Sequence, residues 1–84
     1  MATEQDLRQV LADVFGADPT TITDDSSIDT IEGWTSLRHL NLVVALEERF
    51  GVQLTEQEIV EVISVALIKA VLDEHGVSLA EAGA

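Results

Sequence analysis

Between Ser36 and Phe50 the chain runs SLRHLNLVVALEERF, a stretch rich in strong helix formers and stopped by Gly51. Successive residues of a helix rotate by about 100°, which gathers Leu42, Val43, Leu46 and Phe50 on one broad stripe. Such a stripe has to be buried against other elements, so this segment is expected to lie at the centre of the fold. The same rotation collects Leu37, Leu40 and Val44 on an adjoining sector bordered by Asn41, Glu47 and Glu48, which is more apolar than a surface helix needs.

The partners for that stripe are helical too. Upstream, Leu7, Val10, Leu11 and Val14 recur at i, i+3, i+4 and i+7, and predict a helix from about Glu4 to Phe15. Thr3, with Asp6 three residues on, is a weaker relative of the capping box, and Gly16 supplies a stop. Downstream, Thr55 and Glu58 form a capping box that opens a short third helix from Glu56 to about Ile63. Val65, Ile68, Val71 and Leu72 keep helical spacing in a fourth, which ends at His75 and Gly76. The expectation is an all-α four-helix bundle with three longer helices and one short one. Its core would come from Leu7, Val10, Leu11, Val14, Val43, Leu46, Phe50, Ile59, Ile63, Ile68, Val71 and Leu72. Residues 1–76 are read as one domain and 77–84 as a flexible C-terminal tail.

A long loop separates the first and second helices. Residues 17–34, ADPTTITDDSSIDTIEGW, show no sustained period, and a connection of that length in a compact domain needs ties or a function. Ile22, Ile28, Ile31 and Trp34 are spaced along it as its expected anchors.

Charge narrows the partners. Sixteen Asp and Glu against four Lys and Arg leave −12, the wrong sign for gripping nucleic acid or an anionic membrane. The absence of cysteine excludes disulfide staples, thiolate metal sites and thiol catalysis. The longest apolar run, Leu42 to Leu46, is too short to span a bilayer, and Glu4, Asp6, Arg8 and Asp13 interrupt the first residues where a secretion signal would be apolar. A soluble, cytoplasmic and monomeric protein is expected.

One feature suggests chemistry: a serine at the start of a helix after a long loop, in Gly33-Trp34-Thr35-Ser36-Leu37. A hydroxyl there caps the helix, worth about 0.5 to 2 kcal/mol, but only one cap is needed. With Thr35 available to cap, the Ser36 hydroxyl can point outward, where an attached phosphate would meet free backbone amides and the positive end of the helix dipole.

The stretch from Trp34 to Val52, WTSLRHLNLVVALEERFGV, resembles the phosphopantetheine attachment region of acyl carrier proteins, and the likeness extends over nearly the whole chain. The resemblance implies an acyl-carrier-like bundle that is no enzyme. It also implies that Ser36 receives 4'-phosphopantetheine from coenzyme A through a phosphopantetheinyl transferase and carries acyl thioesters on the arm. Leu37, Leu40, Val44, Glu47 and Glu48 become the face offered to basic grooves on acyl-loading, elongating or acyltransferase enzymes. Thr35 departs from the family, which usually has Asp before the serine, so the site has a cap without a carboxylate. An unmodified acidic helical interaction module is the alternative.

Other constellations are weaker. Ser36 and His39 lie one turn apart, but no orienting acid or oxyanion loop is spelled nearby, which argues against a hydrolase. His39 falls near the core face and is expected to be a packed residue bonded to the loop. Counting from Asp25, Thr30 stands where a calcium loop needs Gly and Ser36 where it needs Glu, so no metal site is expected there. Trp34 is expected to pin the loop to the bundle.

Overall fold

Every helix in the computed structural model, which describes residues 3–77 and 79, begins where a hydroxyl side chain can accept from a free amide. The elements are α1 (Glu4–Phe15), a 3-10 turn at Pro19–Thr21, α2 (Ser36–Phe50), α3 (Glu56–Glu61) and α4 (Val65–Glu74). Thr3 and Asp6 make a full reciprocal box at α1: the Asp6 amide donates to Thr3 Oγ1 at 3.1 Å, and the Thr3 amide donates to Asp6 Oδ2 at 2.9 Å. Thr55 and Glu58 do the same at α3. Ser64 caps α4 by accepting from the Leu67 amide at 3.1 Å. Gly16 and Gly51 stop α1 and α2 in the left-handed conformation, at φ 65° and 66°, where a side chain would be strained. The four-helix, all-α architecture with its long first loop is as expected.

The stripes meet in one core. Leu7, Leu11, Leu42, Leu46, Val62, Val65, Ile68 and Leu72 are essentially removed from solvent. Val14, Phe50 and Ile59 pack against this core from partly buried positions. Ile63 corrects the expectation: it is 38% exposed, and Val62 takes the buried place. The reason is that α3 ends at Glu61, Val62 leaves helical geometry at ψ 59°, and the next side chain swings outward. Leu54 and Ile22 are buried additions to the expected set.

The long loop is tied down by backbone as well as by side chains. Ser27 and Ser64 form an isolated antiparallel bridge, with the Ile28 amide donating to the Ile63 carbonyl and the Val65 amide to that of Ser26, each at 2.9 Å. This pins the loop to the α3–α4 junction and satisfies main-chain groups that no helix reaches. Ile22 and Trp34 are buried and Ile31 is partly so, as expected of anchors. Ile28 is not: its side chain is exposed, and its backbone makes the tie.

Ion pairs link the outer surfaces. Arg49 of α2 donates to Asp6 of α1 at 2.8 Å, and Lys69 of α4 bridges Glu4 of α1 and Asp24 of the loop. Burial works against the charged Lys69 ammonium, but the two carboxylates outweigh it and hold its pKa above the ordinary lysine value. Val77 and Leu79, at the start of the expected tail, lie partly buried against the core, and residues 78 and 80–84 fall outside the described residues. No helix among the described residues is long and apolar enough to cross a membrane.

Candidate functional site

Ser36 is the first residue of α2 and is exposed. Thr35, in extended backbone at φ −96° and ψ 172°, is the cap: its Oγ1 accepts from the Arg38 amide at 3.3 Å, and its carbonyl accepts from the His39 amide at 2.8 Å. The capping role expected of either hydroxyl therefore falls to Thr35. The first turn of α2 has no acidic residue, so no side-chain charge there offsets the positive end of its dipole.

Three side chains fix the start of this helix. The Trp34 ring lies 4.7 Å from that of Phe15 in α1, so the residue two before Ser36 is anchored in the core. Its indole N–H donates to His39 Nδ1 at 3.0 Å. Since an indole nitrogen can only donate, Nδ1 is the acceptor and Nε2 carries the proton, which it gives to the Ile59 carbonyl of α3 at 2.6 Å. One imidazole thus joins loop, α2 and α3. Arg38 reaches the other way and donates to the Val14 carbonyl at 2.9 Å, supplying a cation at the end of α1, whose last turn has no basic residue of its own.

His39 is the loop-bonded, partly buried residue expected, and both ring nitrogens are already engaged. This arrangement gives Ser36 no general base. The reach to Ile59 lay beyond sequence reasoning, as did that of Arg38 to Val14, because the partners are 20 and 24 residues apart and no local pattern pairs them.

A surface groove of about 580 Å³ opens beside the serine. Thr35 and Ser36 line it together with Trp34 and His39, its least exposed members, and the exposed apolar side chains Ile28, Leu40, Val60 and Ile63. Its lining comes from the end of the long loop, from α2, and from α3 with the residue two beyond its end. The exposed Ile63, expected in the core, and Ile28, expected as a buried anchor, supply apolar lining here alongside Leu40 and Val60.

The second sector of α2 is open to solvent: Leu37 is 70% exposed, Leu40 56% and Val44 51%. The two glutamates beside it differ. Glu48 is exposed, whereas Glu47 is half-buried and its carboxylate accepts from the Leu54 amide at 2.9 Å, which holds the turn after α2.

Residues 5–72 match the model of a family described as "Phosphopantetheine attachment site". The chain is 33% identical over 76 residues to an acyl carrier protein of Campylobacter curvus, covering 90% of this chain and 99% of that protein. It is 27% identical over 75 residues to an acyl carrier protein of Helicobacter pylori, covering 89% and 96%. A match from the first turn of α1 to the last turns of α4 takes in the whole bundle, the loop and the α2 N-terminus together, and so the chain belongs to the phosphopantetheine-binding carrier family, a non-catalytic family whose cofactor is covalently attached 4'-phosphopantetheine.

Proposed function

We propose that this chain is an acyl carrier protein that holds the phosphopantetheine arm on Ser36 and presents acyl thioesters to partner enzymes. The observation that carries this reading is the division of labour at the α2 N-terminus. Thr35 does the capping, which leaves an exposed Ser36 hydroxyl that the fold does not need.

The residues suit the group. Ser36 and Leu37 contribute amides from a helix start, where the first N–H groups lack intrahelical acceptors and could hold a phosphodiester on the serine. The groove along Ile28, Leu40, Val60 and Ile63 offers room and apolar surface beside it. In the modification, Ser36 Oγ attacks the pyrophosphate of coenzyme A, forming a phosphodiester as the bond to adenosine 3',5'-bisphosphate breaks, and its proton passes to the phosphopantetheinyl transferase. The arm, once bound, supplies a terminal thiol that carries the acyl group. The chain's own residues deliver and orient: tethering raises the local concentration of cargo at each partner's active site, while the partner performs the chemistry.

Leu37, Leu40 and Val44 are the apolar docking surface, with Glu48 and the outer part of Glu47 steering basic grooves of acyl-loading, elongating or acyltransferase enzymes. The acidic character of the chain favours this over nucleic acid or membrane partners. The setting we infer is cytoplasmic, in fatty-acid or polyketide-type metabolism, with a monomeric carrier domain over residues 1–76 and 77–84 as an appended tail.

The test is incubation with coenzyme A and several phosphopantetheinyl transferases, read by intact mass. We expect one phosphopantetheine adduct on the wild type and none on Ser36→Ala. Failure of every transferase would favour the unmodified interaction module, the reading that the missing carboxylate at Thr35 supports, and an adduct that survives Ser36→Ala would overturn the site.

A further inference from the structure

Of the residues that line the groove beside Ser36, Trp34 and His39 are the two held back from solvent, and they are hydrogen-bonded to each other. Trp34 belongs to the same core cluster as Leu42, Leu46, Val62 and Ile68, all removed from solvent. The Trp34 indole lies tilted against the Phe15 ring and donates to His39, and His39 donates across to the Ile59 carbonyl of α3. A chain that entered the core from the groove would have to part α2 from α3 at this point. It would break the Nε2–H bond to Ile59, displace the imidazole, and strip the indole N–H of its acceptor. The groups left behind sit against apolar surroundings, where an unpaired donor or carbonyl costs more than its bond contributes when made.

We propose that the Trp34–His39 pair is a specificity determinant that bars tethered acyl chains from the bundle core and restricts the carrier to short or polar acyl groups, which stay in the surface groove. The inference rests on Ser36 bearing the arm. Its physical content is a choice between two burials. Apolar sides at Ile28, Leu40, Val60 and Ile63 give a short chain partial shelter without any rearrangement. A long chain gains further burial only by opening the hydrogen-bonded seam. Polar acyl groups have no reason to open it at all.

The experiment loads the full chain with acyl-coenzyme A donors from acetyl to decanoyl, using a promiscuous phosphopantetheinyl transferase, with loading confirmed by intact mass. Thioester cleavage by hydroxylamine and thermal unfolding are then followed against chain length. Burial of each methylene would shift the sheltered-to-free ratio by about fourfold, so a chain that enters the core betrays itself by protection that climbs steeply with length. For the wild type we expect no such climb in either measurement. His39→Ala, and Trp34→Phe as the milder variant that keeps an aromatic ring but loses the N–H, should each introduce one. A climb in the wild type overturns the inference. Flat profiles in all three proteins overturn the assignment of the barrier to this pair. Absence of any adduct, or its persistence in Ser36→Ala, overturns the attachment reading and this inference with it.

Discussion

Trp34 and His39 share a hydrogen bond of 3.0 Å that sets the imidazole tautomer, and the tautomer in turn lets the ring hold the Ile59 carbonyl at 2.6 Å. Ile59 lies near the end of a six-residue helix, where carbonyls run out of intrahelical donors. The ring therefore closes off α3 while fixing the residue two before Ser36.

His39→Ala should be among the costly single changes outside the apolar core. It strands the indole N–H and the Ile59 carbonyl, for which about 1–3 kcal/mol is the usual penalty per buried group. In a domain of this size each kcal/mol lowers Tm by roughly 4–8 °C. Circular dichroism melts measure the loss, and the emission of the only tryptophan should move to the red. Unchanged melting and emission would show the bond to be idle.

Thr35 offers a substitution in each direction. Thr35→Ala removes the cap and should cost about 0.5–2 kcal/mol. Thr35→Asp keeps an acceptor and adds a negative charge at a helix start that has none, for a gain of about 0.3–1 kcal/mol at low salt. The same carboxylate should speed modification of Ser36 by transferase, followed as adduct mass against time. A slower reaction with Thr35→Asp would mean that the family's usual acid has no part in modification here.

Acid should weaken the joint between α1 and α2. The hydrogen bond from Arg49, followed by that from the Thr3 amide, holds the Asp6 carboxyl below its ordinary pKa. The Thr55 amide, followed by His75, does so for Glu58. A carboxyl with a depressed folded pKa contributes stability that is complete above the unfolded value and disappears as pH falls through the folded one. Relief of the repulsion within a chain of net charge −12 acts in the opposite sense, so the informative quantity is the difference between wild type and Asp6→Asn. That gap in Tm should be full at neutral pH and close progressively below about pH 5. A gap independent of pH would assign the effect of the substitution to something other than the charged carboxylate.

Leu40→Ala and Val44→Ala should separate folding from docking. Both side chains are more than half exposed, so stability should change by no more than about 0.5 kcal/mol. Loss of their contact with a partner should remove roughly 1–2 kcal/mol of docking energy, a fivefold to thirtyfold rise in KM for acyl transfer. Glu48→Lys should slow association and reduce its dependence on salt, measured by stopped flow at several ionic strengths. If Leu40→Ala melts early and transfers normally, this sector belongs to the fold.

Much of the bundle is legible in the sequence. The start of α3 follows from Thr55 and Glu58, the stop of α2 from Gly51, and the core face of α2 from the spacing of Leu42, Val43 and Leu46. Ser36 was legible as an exposed hydroxyl because the neighbouring Thr35 competes for the same cap. Apolar spacing alone extends the short third helix to Ile63 and places that side chain in the core, whereas α3 ends at Glu61. Periodicity cannot reveal that Val62 breaks helical geometry, because the cause is a bridge to Ser27 far upstream in the chain. Ile28 differs from a side-chain anchor for a related reason: an apolar residue in a loop gives no sign that its amide, not its side chain, makes the tie.

Sequence alone determined the four helices in outline, the caps at Thr3 and Thr55 and the hydroxyl presented at the start of α2, because cap chemistry and helical rotation act between residues three or four apart. Only the tertiary structure decided that His39 spans 20 residues to Ile59, that Arg38 reaches the end of α1, and that an apolar groove lined by Trp34 and His39 opens beside Ser36. Those features depend on how separate segments meet, and what selects that meeting is the joint burial of all the stripes together with the pairing of polar groups that no single segment can satisfy.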